Sequence, residues 1–235
     1  MISIVIPSKT VPNIQKSIRC IQHFESGTRQ DMHVVVVLDG IDLLDPNLPV
    51  TKNGVHVSYV QGVQPFVFAR NVNIGAHSHP DADLVVMNDD ALLTVPGGIT
   101  EMCLALRRPE NLKFGILSSK VFGAACNPRV ISGTTALFNT AMVMDAGHMV
   151  PFICVAIRRE VWERVGHLDE QYVDYGFEDD DFCRSCRSRG LRVGCYTGCI
   201  VDHGSIHSTF RNAGHCSLEP NRLRYLAKWG NHEGA

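Results

Sequence analysis

Two acidic groups and a few single polar positions carry the chemistry this chain could do. The denser group is Glu178-Asp179-Asp180-Asp181, set between Gly176-Phe177 and Phe182. Four adjacent carboxylates repel one another, so a compact domain holds them only beside cations, helix-terminal N–H donors or water. A carboxylate among them, held within hydrogen-bond reach of a hydroxyl, can act as a general base. The second group, Asn88-Asp89-Asp90, follows directly on the apolar run Leu84-Val85-Val86-Met87. Two carboxylates at a strand end suit a hard divalent cation that keeps positions open for phosphate oxygens, Mg2+ or Mn2+. His203 closes the run Cys199-Ile200-Val201-Asp202-His203 and could complete that coordination sphere, with His207 as a competitor in the same loop. An imidazole among oxygen ligands tilts the choice toward Mn2+. Arg70 could offset diphosphate charge. Each position also has a plainer reading: a capped helix start, an Asn/Asp turn, a structural histidine, a surface arginine. Function requires that the fold bring them together.

The elements that would position them are legible. Ile2 to Ile6 reads as a short strand ending at Pro7, and Asn13 to Phe24 as a helix with Ile14, Ile18, Ile21 and Phe24 on its period. Val34 to Leu38 is a fully buried type of strand that stops at Asp39-Gly40, Val55 to Val60 is a third, and Val67 to His79 a helix. Leu84 to Met87 is the fourth strand, a helix runs from Pro96-Gly97-Gly98 to Arg107, and Phe114 to Leu117 is the fifth strand. Strands that are apolar throughout and alternate with helices indicate an α/β domain with a mostly parallel sheet covered on both faces. Ligands bind such sheets beyond the carboxyl ends of the strands. Pro7-Ser8, Asp39 and Asn88-Asp89-Asp90 all fall there. From Gly123 to Pro151 the chain turns rich in Gly, Asn, Thr and Ser, with β-prone pieces at Val130-Ile131 and Ala141 to Met144; a long excursion of this kind is a lid or binding loop. Phe152 to Ile157 is a strand, Arg158 to Val165 a helix, Leu191 to Val193 a strand, and Leu218 to Trp229 the last helix. The acids open a helix of their own, where the dipole favours negative charge.

At 235 residues and a net charge of −2, the chain fits one domain and gives no support for a generally polyanion-binding surface. No apolar run is long enough to span a bilayer and the start lacks a signal peptide's basic and apolar regions, so a cytoplasmic location is expected. In that compartment the nine cysteines are reduced and mostly buried rather than a disulfide framework or, at Cys183 and Cys186, a zinc site.

Taken in order, Ile4-Val5-Ile6-Pro7, Val36-Val37-Leu38-Asp39-Gly40, Ala69-Arg70-Asn71, Asn88-Asp89-Asp90, Gly166-His167-Leu168-Asp169-Glu170, Gly176-Phe177-Glu178-Asp179-Asp180-Asp181 and Lys228-Trp229-Gly230 resemble a family 2 glycosyltransferase of the GT-A fold. The resemblance covers nearly the whole chain apart from the Gly123 to Pro151 excursion. It implies a single GT-A domain over 1–235, with a nucleotide-sugar-binding half at 1–120 and an acceptor-binding and catalytic half at 121–235. It also implies metal-dependent, inverting transfer of one sugar from a nucleotide-sugar donor, UDP-linked by preference, to an acceptor hydroxyl. On this resemblance Pro7, Ser8 and Asp39 line the base pocket and Arg70 lies near the diphosphate. Asp90 binds the Mn2+ or Mg2+, Asp89 lies near the ribose or metal, and His203 is the later metal ligand. Asp179 is the catalytic base and Glu178 holds the acceptor. Asp180 is expected to face solvent, and Asp181 to serve the helix start or pair with an arginine. The chain departs from the family pattern at Leu38, where an acid is common, and at Asn88, which replaces the first acid of a DXD element. It lacks the Gln/Arg-rich motif and membrane helices of processive synthases, which favours transfer of a single sugar.

Two other classes remain on the sequence. A nucleotidyltransferase uses a similar sheet and metal, but Pro7-Ser8-Lys9-Thr10 has no glycine for a phosphate loop. A non-catalytic sugar-nucleotide-binding module would not need the acids. The acceptor stays open among a saccharide, a lipid-linked saccharide, a protein, a small molecule and a modified nucleic-acid base. Arg107, Arg108, Lys113, Lys120 and Arg129 could form a basic rim, and the amphipathic stretch Arg222 to Trp229 could touch a membrane or pack on the domain.

Overall fold

The structure is a computed structural model and describes residues 1–28, 31–123, 141–204 and 218–230. The Val- and Ile-rich runs form β1 (Ile2–Ser8), β2 (Met32–Leu38), β3 (Val55–Gln61) and β4 (Asp83–Met87), parallel and in the order β3-β2-β1-β4. β-branched side chains pack well on both faces of a pleated sheet, and Val34 to Leu38 and Leu84 to Met87 are fully buried. Alternate residues serve opposite faces. Ile4, Ile6, Val34 and Val36 meet Ile14, Ile18 and Ile21 of α1 (Val11–Phe24), whereas Val5, Val35 and Val37 meet Val72 and Ala76 of α2 (Phe68–Ala76). The α2 contact depends on Gly75, because a Cβ there would come within 2.4 Å of Val5 Cγ1.

The parallel half ends at β8 (Cys154–Ile157), which lies antiparallel to both β4 and β6 (Phe114–Gly123). Beyond β6 come β9 (Arg192–His203) and β5 (Leu92–Leu93), with β7 (Val143–Asp145) also paired to β9. The sheet is therefore mixed, all parallel on the β3 to β4 side and largely antiparallel after it, with β6 and β9 a parallel pair. α3 (Gly98–Leu106) shares the α1 face, while α4 (Arg159–Val165) and α5 (Glu178–Ser188) share the α2 face. α6 (Leu218–Trp229) docks on α5.

Three differences from the sequence expectation bear on the site. β1 runs on through Pro7 to Ser8, because its pairing with β4 stops at Val5 and the missing proline N–H falls beyond that ladder. The two late strand pieces are one strand, β9, in which the partner register jumps from Tyr196 to Ile200 opposite Ser119 and Lys120. That bulge absorbs Thr197-Gly198-Cys199 and carries the strand on to His203. The two-residue β5 was not foreseen; its pairing of Leu92 with Asp202 draws the residues before Leu92 alongside the end of β9. Of the Gly123 to Pro151 excursion, 124–140 lies outside the described residues, including Val130-Ile131 and Arg129; Val143–Asp145 forms β7. No helix among the described residues is long and apolar enough to cross a membrane.

Candidate functional site

The carboxyl ends of β1, β2 and β4 meet at one edge. The Asp39 N–H donates to the Ser8 carbonyl at 2.9 Å, and Ser8 Oγ donates to Asp89 Oδ2 at 2.5 Å. Ser8 and Asp89 are wholly buried. Burial pushes the Asp89 carboxyl up to about 6 against the Ser8 hydrogen bond; the neighbouring Asp90 charge adds to the rise and Asn13 opposes it. Pro7 is buried within the ladder opposite Val37.

Asp90, also buried, places Oδ1 3.1 Å from His203 Nε2. The two atoms face each other without hydrogen-bond alignment, since Asp90 Oδ1 makes no hydrogen bond among the described residues. Two cis ligands of an octahedral ion bound at about 2.1 Å lie about 3 Å apart, so this spacing fits a shared divalent cation. No further His, Cys, Asp or Glu among the described residues completes a trio with them inside 4.8 Å. Asp89 instead turns to Ser8. A site with two protein ligands leaves most of an octahedron to water and phosphate oxygens. The structure thus brings Asp90 and His203 side by side through the β5–β9 pairing; His207 lies outside the described residues.

Asp39 is buried beyond β2. Gln64 Nε2 donates to its Oδ1, and Lys9 Nζ lies 4.0 Å from its Oδ2 and 4.1 Å from the centre of the Phe66 ring. Burial raises its pKa, while Lys9, Arg70 and Gln64 oppose that rise. Arg70 is near this end of the sheet, but its Nη2 donates to the Val63 carbonyl at 2.6 Å and to that of Pro65. Through Nη2 it holds its own loop, while its Nε has no hydrogen-bond partner among the described residues. Leu38 points into the α1-side core, so no acid could occupy its place without burying a charge. Sequence alone does not single out Lys9, Gln64 and Phe66; Lys9 meets Asp39 through the pairing of β1 with β2, and Gln64 and Phe66 arrive on the 62–67 loop.

The acidic run opens α5 as expected, with all four acids in its first turn. The approach to it is strained: Asp174, Gly176 and Phe177 take positive φ of 54°, 101° and 73°. The Phe68 N–H donates to Asp174 O at 2.7 Å, which fastens this approach to the start of α2. Glu178 is buried with Oε2 lacking any hydrogen-bond partner among the described residues; burial and then the Asp179 charge raise its pKa well above the usual carboxylate range. Asp179 Oδ1 accepts the Asp180 N–H at 3.0 Å, and the backbone N–H of Phe152 also favours its ionised form, so that the rise caused by burial is partly offset. The next carbonyl, of Ile153, accepts the Asn88 N–H at 2.9 Å. Residues 152 and 153 therefore tie the Asp179 turn to the strand end that carries Asp89 and Asp90.

Of the other two acids, Asp180 departs from expectation and Asp181 meets it in part. Asp180 is half-buried rather than solvent-facing, and burial with its acidic neighbours lifts its pKa to about 7. Asp181 sits in the first turn as expected, and its cation among the described residues is Lys228 rather than an arginine. It accepts the indole N–H of Trp229 at 2.6 Å, Lys228 Nζ at 2.9 Å and the Tyr172 hydroxyl at 3.2 Å. Asn221 clamps the turn before the acids, donating to the carbonyls of Val173, Tyr175 and Gly176. The C-terminal helix thus packs on the domain. Among the described residues the expected basic rim is otherwise engaged: Arg107 pairs with Asp83 and Glu160, Arg108 with Glu101, Lys113 Nζ lies over the Phe114 ring and Lys120 is buried; Arg129 lies outside them. Cys183 and Cys186 are buried free thiols.

No protein-family model matches the chain. An uncharacterized protein of Sinorhizobium fredii, y4gI, is 20% identical over 212 residues, 81% of this chain but 23% of that protein's length. Among solved structures, GalNAc-T7 with UDP, GalNAc and Mn2+ superposes with a TM-score of 0.73 at 11% identity, over 99% of this chain and 48% of that one. The mannosyltransferase PcManGT of Pyrobaculum calidifontis with GDP-Man and Mn2+ gives 0.66 at 16%, over 100% and 65%, and S. aureus TarS with UDP-GlcNAc gives 0.63 at 10%, over 100% and 68%. The chain therefore has the GT-A fold, and spans about half to two thirds of the solved chains it superposes on.

Proposed function

We propose that the protein is a metal-dependent glycosyltransferase that moves one sugar from a nucleotide-sugar donor, UDP-linked by preference, to an acceptor hydroxyl with inversion. The observation that carries this is the apposition of Asp90 Oδ1 and His203 Nε2, 3.1 Å apart without a hydrogen bond, at the carboxyl edge of a GT-A sheet. Mn2+ or Mg2+ on these two groups would neutralise charge on the departing nucleoside diphosphate; imidazole ligation favours Mn2+. Asp39, buttressed by Gln64 and Lys9, would read the base, with Pro7 and Ser8 lining the pocket. Asp89, fixed by Ser8, would meet the ribose, and Arg70 would meet the diphosphate. Asp179, whose carboxyl burial raises toward the pKa of a useful base while backbone N–H groups hold that rise back, would take the proton of the acceptor hydroxyl as that oxygen attacks the anomeric carbon. Glu178 would hold the acceptor. The relatives' likeness adds only the fold, but GalNAc-T7 and PcManGT each carry Mn2+ with a nucleotide or nucleotide sugar.

Screening nucleotide sugars with Mn2+, by thermal stabilisation and by slow donor hydrolysis, tests the reading. One donor class should stabilise the protein only with metal, EDTA should abolish the effect, and nucleoside diphosphate should be released. Release of pyrophosphate would identify a nucleotidyltransferase instead, and binding without turnover in the presence of diverse acceptors a non-catalytic module. Asp179→Asn should keep donor binding and lose transfer; full transfer by a folded Asp179→Asn protein removes it as the base.

A further inference from the structure

The amino-terminal edge of the sheet carries a second group of metal-ligating side chains. His33 near the start of β2 and His56 near the start of β3 are register partners on parallel strands. Both project from the face that α2 covers, since Val35 and Val37 follow His33 at alternate positions. Their rings stack with centroids 4.7 Å apart. The turn after α2 delivers His79, whose ring lies 4.6 Å from that of His33. Asp31, just before β2, has Oδ1 3.5 Å from His33 Nε2. One ligand atom each from Asp31, His33 and His56 fall within 4.8 Å of one another. Six residues of nearly extended chain separate His33 from Asp39, roughly 20 Å at about 3.3 Å per residue, so the cluster has no part in the site described above.

We propose that Asp31, His33 and His56 form a second metal site for a divalent transition ion of the Zn2+ type, clipping the starts of β2 and β3 together. The donor set decides the class of ion: two imidazoles and one carboxylate suit Zn2+ and its neighbours, whereas Mg2+ and Ca2+ take oxygen. Three protein ligands leave a fourth tetrahedral position for water. Tetrahedral ligand atoms about 2.0–2.1 Å from zinc lie roughly 3.3 Å apart, so the trio must close by about 1.5 Å at most. Rotation of the exposed Asp31 and His56 side chains accomplishes that closure without moving backbone. Arg159 is the nearby cation that would oppose an ion. Its guanidinium is turned to the carbonyls of Ala76, His79 and Ala82, where it fixes the turn that shelters the cluster.

The test uses the full chain stripped with chelator and titrated with Zn2+ and with Co2+. In an Asp90→Asn/His203→Gln background, one equivalent should still bind. The Co2+ form should show visible d–d bands without a near-ultraviolet thiolate charge-transfer band. Adding His56→Ala, an exposed position, should weaken that equivalent by more than about 100-fold, beyond the loss typical of an outer-shell substitution. Asp31→Asn should weaken it in the same direction with the fold intact by circular dichroism. Absence of binding in the Asp90→Asn/His203→Gln protein overturns the proposal. So does an affinity unmoved by His56→Ala, or a thiolate band, which would put the metal on cysteines.

Discussion

Asp181→Ala isolates the one acid of the run whose partners are all visible. The substitution strips a buried carboxylate from the Tyr172 hydroxyl, the Trp229 indole and Lys228. Tyr172 is fully buried and its hydroxyl is left without a partner, which costs about 1–2 kcal/mol. The half-buried Trp229 N–H contributes a similar amount, roughly 1–2 kcal/mol. Lys228 is 40% exposed and keeps Asp169 at 3.1 Å, so after solvent screening it adds less than about 1 kcal/mol. The total is roughly 2–5 kcal/mol, a large part of an ordinary domain's stability. Because two of the three donors belong to α6 or the segment it clamps, the loss should appear first as opening of 218–229. Urea denaturation gives the global change and hydrogen exchange locates it: amides of 218–229 should lose protection before those of β1, β2 and β4. Trp229→Phe keeps a ring without the donor, and the double variant should lose less than the sum of the two single losses. A loss below about 1 kcal/mol, with α6 amides protected as before, would refute the latch.

Ser8→Ala removes the hydrogen bond to Asp89, so the carboxyl should titrate higher still and the protein lose about 1–3 kcal/mol at pH 8, with less below pH ~6 where the carboxyl already holds its proton; a pH-independent loss in urea midpoints argues against it. Gly176→Ala places a Cβ 2.6 Å from Leu218 Cδ2 at a φ of 101°; Leu218 can swing aside, so the cost is chiefly backbone strain of about 1–3 kcal/mol, and limited proteolysis should cut near 218 faster than in the parent protein. Asp180 keeps its proton to about pH 7 in the fold, but releases it near pH 4 when unfolded, so folding is penalised above pH 7 and not below 4. Asp180→Asn should therefore raise stability at pH 8 by about 1–2 kcal/mol once screening is allowed for, and leave it unchanged at pH 4; equal gains at both values exclude the linkage.

The parallel half was legible because Val34 to Leu38 and Leu84 to Met87 are apolar at every position, a pattern that two-sided burial produces. The antiparallel half was harder. Tyr196-Thr197-Gly198 reads as a break between two strands, yet the ladder to β6 absorbs it as a bulge. Leu92-Leu93 is too short to carry any period, and still it is the pairing that sets Asp90 beside His203. Asp39, Asp90 and His203 could be picked by type and by position at strand ends. The supports of Asp39 could not, because Lys9 and Gln64 gain their roles only from long-range approach.

The four acids show most sharply what sequence spacing leaves unsaid. In the run they are indistinguishable, but each helical step turns a side chain by about 100°, so Glu178 and Asp181, three apart, share the inward face while Asp179 and Asp180 flank it. Both inward acids are buried, at 5% and 4% exposure. Their fates then diverge through what faces them. Asp181 meets three donors from Tyr172 and α6, and is a structural anchor. Glu178 meets none at Oε2, a deficit of about 1–3 kcal/mol that a fold tolerates where something else supplies the donor. Burial beside Asp179 answers half of that deficit by raising the Glu178 pKa, which lets the carboxyl keep its proton. In the proposed reaction an acceptor hydroxyl would answer the other half, one residue from Asp179, where the N–H groups of Phe152 and Asp180 partly offset the rise that burial causes. Both carboxyls are raised by burial, but Glu178 the more so, and under the proposed reaction that inequality would let Glu178 grip the acceptor while Asp179 takes its proton, a division of labour that two equivalent acids could not sustain.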